Sequence, residues 1–412
     1  MNGLPQFLWL LILSCPVLVI AQQLPHCDSH WVPPKKPALP AAGLAKSVIC
    51  IPVVVHVVWA EQTDRLSEER VLSQITVLNE DFRAQNDDLA IVPGFYTQYI
   101  ADTEISFALA TTDPAGNPHS GIVYQETPHE AIASRFDSFT GRRSICYDAT
   151  GGSTAWNTER YLNIWVGQFA EGGPDGEAIF PGQVDNGVPA AEDGVYVDTD
   201  AFGRAPELTP PLHLGRTTTH EVGHYLNLLH IWGPVFPVNC NSSCCDLAAH
   251  DDLVADTAPQ VRTYQGICPT GPESSCADPD FPVDMYHNFM GFASDDCLVT
   301  FTPGQKERMR AALFTYRAGL ITTDCIVNTT TMPAEAELAD ITYFAGAQSL
   351  RIVTAGERVD WQLFNLEGRR LAQFRTEPQL ETNRFVGDLP TGVYQLLGRS
   401  QQAWQVFRWV KI

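Results

Sequence analysis

Basic side chains are scarce in this 412-residue chain, where 26 lysines and arginines stand against 48 aspartates and glutamates, a formal charge of −22. Such a balance repels nucleic-acid phosphates and anionic membranes, so neither is expected as a partner of the chain as a whole. It is compatible with a solvated surface outside a cell, with calcium sites, or with basic substrates. Long apolar runs are equally scarce: beyond the first twenty residues nothing could span a bilayer, so no integral membrane segment is expected in the mature chain. No internal repeat and no low-complexity run is present. Also missing is any C-x-x-C pair, and with it the spacing of a cysteine-based zinc site. What remains is ordinary globular composition, 44% hydrophobic and 18% charged, in a chain long enough for two folded units.

Residues 7–20 are almost unbroken apolar sequence ending before Ala21, Gln22 and Gln23. They are too short and too close to the start to span a membrane, and the small Ala21 suits a cleavage site, so residues 1–21 read as a signal peptide. Its head carries no Lys or Arg; a lipoprotein cut before Cys15 is the alternative, at the cost of most of the apolar core. Removal leaves ten cysteines, and an even count in an exported protein favours disulfides. Six lie between Cys240 and Cys297, where an irregular stretch needs staples. Residues 22–46, with Pro25, Pro33, Pro34, Pro37 and Pro40, suit an extended leader.

Globular patterning then begins. Residues 50–60 are apolar on both faces, as a strand covered on both sides requires. Ser67 is placed to cap a helix carrying Val71, Ile75, Leu78 and Phe82 at helical spacing, with Glu68 and Glu69 in its first turn. Further strands are expected over 104–111, 161–168 and 194–198, and a helical pattern over 214–230. Thr302 followed by Pro303 opens another helix. The first folded unit, 47–325, ends there; 326–335 read as a linker. From 336 to 412 seven short alternating segments (341–344, 350–353, 361–364, 371–374, 384–386, 393–397 and 404–412) imply a small β-sandwich.

The decisive segment runs from His220 to His230. His220 and His224, four apart on a helix, present imidazoles on one side, about 6 Å apart, within reach of one tetrahedral zinc. Glu221 lies beside the first ligand, where it can take a proton from a metal-bound water. His230 reaches the same centre only if the chain turns sharply near Asn227, a residue type that tolerates the left-handed conformation. Incidental histidines packed in a core are the bland alternative, and agreement at five ordered positions weighs against it.

This pattern resembles the metzincin metallopeptidases, H-E-x-x-H-x-x-G-x-x-H followed by a methionine turn, with Asn227 in place of the usual Gly. The turn is matched by Asn288-Phe289-Met290-Gly291-Phe292, making Met290 the floor beneath the metal. IPVVVHVVWA, LNEDFRAQN, RYLNIWVGQF, LGRTTTHEVGH, DDLVADTAPQ and NFMGFASDDC with FTPGQKERM are similar to the pappalysin family of metzincins over residues 48–318. The resemblance implies an α/β metzincin catalytic domain, with a mixed twisted sheet, an active-site helix and an irregular, disulfide-stapled lower part, followed by the small all-β sandwich. It implies a zinc-dependent endopeptidase acting on protein or peptide substrates, which lie extended along an edge strand, for which 194–198 is the candidate. It further implies calcium at Asp252, the Val254 carbonyl, Asp256 and Thr257, and disulfides joining Cys268 to Cys297 and Cys276 to Cys244 or Cys245. Where many pappalysins carry a Tyr that can assist the oxyanion, this chain has Phe292.

Three readings stay open. Cys27 is either a thiolate that blocks the zinc until the leader is cut or the partner of Cys50, Cys146 or Cys325. Asp295 and Asp296 could form a pocket for Arg or Lys. The C-terminal unit, with Leu389-Pro390-Thr391-Gly392-Val393-Tyr394 and a terminal Trp409-Val410-Lys411-Ile412, is similar to sorting domains read by the bacterial type nine secretion machinery, which implies release or attachment at the outer cell surface. The rival functions are an inactive surface-binding relative, against which intact Glu221 speaks, and a glycan-binding sandwich, which lacks an evident aromatic cluster.

Overall fold

The computed structural model describes residues 31–34, 48–234, 250–276 and 278–322, and in the C-terminal part 339–344, 349–354, 358–365, 370–377, 381–385, 389, 392–399 and 404–411. The signal-peptide, linker, Cys27 and Cys244/Cys245 expectations lie outside these residues.

The first sheet is built around β1 (Ile49–Trp59), buried along nearly its whole length. Its two faces serve different cores: Ile51, Val53, Val55 and Val57 join the main cluster, while Val54 and Val58 pack into two smaller ones on the opposite side. Helix α1 (Glu68–Phe82) follows, with the Ser67 hydroxyl accepting the Arg70 N–H and Val71, Leu78 and Phe82 buried. Strands β2 (Ile105–Leu109) and β3 (Ile122–Glu126) share one side of β1, β2 beside its first half and β3 beside its second. On the other side lies β4 (Leu162–Val166), then β6 (Val195–Val197), all parallel. Beyond β6 the short β5 (Gly176–Ala178) runs antiparallel and forms the edge. Helix α2 (Pro181–Asp185) leads from β5 back towards β6.

Two expectations are corrected here. The edge strand is β5, not the 194–198 segment, which β4 and β5 flank on both sides. Strand β3 was not anticipated; only one of its five residues is buried, so it lacks a strong apolar signature.

Helix α3 (Arg216–Tyr225) lies under β5 and β6, with all ten of its residues buried. It is shorter than the 214–230 pattern because Asn227, at φ 72°, breaks it. Helix α4 (Pro303–Tyr316) starts with the Thr302 cap, reinforced by Gln305 in a capping box. Between α3 and α4 no helix or strand is found among the described residues. That stretch is the irregular half of the fold, and Cys268 and Cys297 are disulfide-bonded within it. Cys50 and Cys276 are also in disulfides, whereas Cys146 is a buried free thiol and so is no partner for Cys27.

The C-terminal strands are β7 (Ala339–Phe344), β8 (Ser349–Thr354), β9 (Val359–Asn365), β10 (Arg370–Thr376), β11 (Glu381–Phe385), β12 (Gly392–Arg399) and β13 (Trp404–Lys411). All pairings are antiparallel, giving a four-stranded sheet, β10-β9-β12-β13, and a three-stranded sheet, β11-β8-β7. Leu350, Ile352, Val359, Trp361, Leu363 and Leu396 form one core, and the Trp361 indole donates to Thr376. The pattern of seven short alternating strands is therefore realised.

Candidate active site

Helical spacing brings His220 and His224 together, their rings meeting edge to face with centroids 4.5 Å apart. The chain then reverses at Asn227, and His230 closes the group at 4.5 Å from His224 and 5.2 Å from His220. One ligand nitrogen from each ring lies within 4.8 Å of the others. The tautomers are fixed from behind. His220 Nδ1 lies 2.7 Å from the Phe289 carbonyl and His224 Nδ1 2.8 Å from the Leu228 carbonyl. A carbonyl only accepts, so both Nδ1 atoms carry the proton and both Nε2 atoms keep a lone pair. Nε2 of His224 and of His230 face each other at 3.1 Å. Burial and the neighbouring His220 push His224 well below the usual histidine range, so it is neutral, as a metal ligand must be. Three converging imidazoles, two of them oriented by backbone carbonyls, suit zinc.

The floor comes from the irregular half. Met290 is fully buried, and a Cβ built on Gly223, between the two helical histidines, would stand 2.5 Å from its sulfur. The turn is held by Asn288, whose side-chain oxygen accepts the Met290 N–H at 2.9 Å and whose carbonyl accepts the Gly291 N–H. The Ile231 N–H donates to the Met290 carbonyl, tying the segment after His230 to the same turn. Phe292 packs against His220, His230 and Trp232.

Glu221 is buried, directly beneath β5. A Cβ on Gly176 would lie 2.8 Å from Glu221 Cγ and 2.9 Å from its Oε1, so only glycine allows this approach. An extended chain paired to the open edge of β5 would pass over Glu221. Sequence reasoning missed this strand because three residues, one of them Gly, carry no periodic signal.

Comparison with known proteins agrees with this geometry. The family model described as Pregnancy-associated plasma protein-A, of the peptidase M43 family, matches residues 147–314. Mature mirolysin of Tannerella forsythia, in complex with a cleaved peptide, is 35% identical with a TM-score of 0.54, the match covering 68% of this chain and 100% of that one. The chain belongs to the M43, or pappalysin, family. A promirolysin mutant from the same organism is 35% identical with a TM-score of 0.56, the match covering 67% of this chain and 85% of that one. An extracellular metalloprotease of Arthroderma gypseum is 29% identical over 275 residues, 66% of this chain and 75% of that protein. As a pappalysin the chain is a zinc metalloendopeptidase with the metzincin fold.

Next to the pappalysin centre a pocket opens between Leu212, Arg216, Thr217, Gly291, Ala293 and Asp295, with His220 and Glu221 in its wall. Asp295 is buried; its Oδ2 accepts the Leu214 N–H at 2.7 Å, and burial raises its carboxyl to about 6. Asp296 points elsewhere, half-exposed and 3.4 Å from His213. The Arg216 guanidinium is buried against Asp81 and Asp88 and donates to the Leu298 carbonyl. Its role was not legible in the sequence, because its partners lie far along the chain.

Asp252 is buried, its Oδ1 accepting from the Val254 N–H at 3.0 Å and the Thr257 hydroxyl at 2.5 Å, and burial raises its carboxyl to about 7. The two oxygens of Asp256 accept from the Thr302 hydroxyl and the Gly304 N–H at the start of α4. Residues 31 and 32 touch the part of the chain that carries the ligand group. The Trp31 indole donates to the Asn227 side chain at 3.2 Å, and the Val32 carbonyl lies where a Gly182 Cβ would be.

Proposed function

We propose that His220, His224 and His230 hold the zinc, that Glu221 is the general base, and that Met290 supports the ligand group from below. The observation that carries this reading is the convergence of three imidazole nitrogens beside Glu221, two of them held in the ligand tautomer by backbone carbonyls. Bound zinc supplies Lewis acidity for a water and the carbonyl it attacks. The chain's own groups do the rest. A substrate pairs in extended form with β5, which sets its scissile bond over Glu221. Glu221 accepts the proton of the attacking water and passes it to the leaving amine. Buried Asp295 favours a basic side chain in the neighbouring pocket.

The C-terminal sheets act as the type nine sorting domain, catalysis residing in residues 47–325, and the protein works outside the cell or at the bacterial outer surface. Support comes from relatives named extracellular metalloproteases and from the terminal strands. Export of a chain lacking residues 336–412 is the direct test. Calcium binds through Asp252, the Val254 carbonyl, Asp256 and Thr257. Cys27 blocks the zinc in the latent form; the Trp31 contact, four residues away along the chain, supports a leader running past the ligand group. Latency that survives Cys27→Ser would end that idea.

The central test is cleavage of an unstructured protein such as casein, with and without a zinc chelator, beside Glu221→Ala. Loss of cleavage in both is expected; cleavage by Glu221→Ala would overturn the assignment of the base.

A further inference from the structure

A tongue of chain, residues 135–143, stands on the face of the sheet opposite α3, and its sequence, RFDSFTGRR, is unlike its surroundings. Phe139 at its tip is 96% exposed and Phe136 51%, and Phe139 is the most exposed large apolar side chain among the described residues. Arg135 and Arg142 flank them, both exposed, on a chain whose formal charge is −22.

The exposure is built in. Asp137 Oδ1 accepts the N–H groups of Phe139 and Thr140 and the Thr140 hydroxyl, and its backbone N–H bonds the Arg142 carbonyl. Gly141, at φ 67°, closes the turn, and Phe136 bridges Arg143. Phe139 is therefore held out in water by a pre-ordered turn, the arrangement of a contact residue whose ordering cost is already met. The root of the tongue is pinned to the active-site edge. Arg143, buried beneath Phe136 and Tyr196, pairs through both terminal guanidinium nitrogens, Nη1 and Nη2, with Glu177, the middle residue of β5.

We infer that the 135–143 tongue is a second substrate-binding surface, which captures acidic, aromatic- or aliphatic-bearing flanking segments of a polypeptide already paired with β5. The inference rests on the proposed pairing of substrate with β5. The tip is four residues from Arg143, at most about 13 Å of chain and less in the folded turn, and Arg143 is bonded to β5, so a substrate continuing past the strand has the tongue at its side. Charge separates this surface from the pocket: Asp295 draws a basic side chain at the bond to be cut, whereas Arg135 and Arg142 draw acidic residues further along. A lipid surface is the less favoured occupant, because two phenylalanines beside a charge of −22 anchor weakly.

The experiment compares short peptides that span only the cleft with the same peptides lengthened at both ends by acidic, Phe- and Leu-containing segments. Wild type and a Phe136→Ser/Phe139→Ser/Arg142→Ser variant are measured on both. Wild type should favour the long peptides by a factor on the order of ten in kcat/KM, a preference the variant loses while cleaving the short ones at the wild-type rate. Equal long-to-short ratios in the two proteins would overturn the inference while leaving the peptidase assignment intact. Failure of wild type on every peptide would instead strike the assignment itself; binding of the long peptide to Glu221→Ala with and without the three tongue changes then decides the tongue separately. Variant-sensitive binding to anionic vesicles with an unchanged peptide ratio would assign the tongue to a membrane and likewise overturn it.

Discussion

The two halves of the catalytic part are held together by different means. Above the site, β1, β4, β6, α1 and α3 are regular, and their order follows from apolar side chains repeating at strand or helix period. Below it, from Leu226 to Thr302, the described chain has no helix or strand, yet residues such as Phe289, Met290, Val299 and Phe301 are just as buried. Side chains that bond to backbone do there what ladders do above. Asn288 and Gln305 exchange two hydrogen bonds, Gln260 accepts the Met285 N–H, and Asp284 accepts from Ser275 and Tyr264. The site lies on the seam: the regular half supplies Glu221, His220 and His224, and the irregular half supplies Met290 and the carbonyl behind His220.

The sharpest contrast is between chemistry and stability. Glu221→Ala should lower casein cleavage by about 10³-fold or more, with an unchanged circular dichroism spectrum and a melting temperature no lower than wild type, since a buried carboxylate is removed. Gly176→Val, at the edge of the regular half, should lower kcat about tenfold to a hundredfold by pushing on Glu221, with a much smaller effect on melting. In the irregular half the order reverses. Cys268→Ala/Cys297→Ala should cost about 3 kcal/mol in chemical denaturation, because the staple restrains a chain with no ladders of its own. Asn288→Ala should cost about 2 kcal/mol by leaving Gln305 and the Met290 N–H without their partner, and should weaken zinc retention in a chelator competition.

The smallest effect is set by pH. Burial lowers His56, in the regular half, and His287, in the irregular half, from 6.5 to about 4. Their folded forms resist protonation, so the associated stability is full above pH 6.5 and is lost as pH falls towards 4. His56 also bonds Ser153 and Asn163, whereas neither ring nitrogen of His287 has a hydrogen-bond partner among the described residues. His287→Leu should therefore flatten the fall in melting temperature between about pH 6.5 and 4 without loss at neutral pH. An unchanged slope would remove His287 as a cause.

That contrast also explains what was legible beforehand. The Ser67 and Thr302 caps, the β1 run and the HExxH spacing are local signals, and they located α1, α4, β1 and the three histidines. Strand β5 was missed because it is a strand only through its pairing with β6, and the hold of Asp256 on α4 could not be read because it spans 46 residues. The Phe289 carbonyl could not be read at all, since any residue there offers one.

That carbonyl also bears on timing in the life of the protein. It comes from the turn that follows the 268 side of the Cys268–Cys297 staple and precedes the 297 side, so it sits inside the loop the disulfide closes. A freshly made chain whose thiols are still reduced has not yet closed the loop that steadies the group orienting His220. The backbone group that orients His220 is thus steadied by a loop that only oxidation of the two thiols can close.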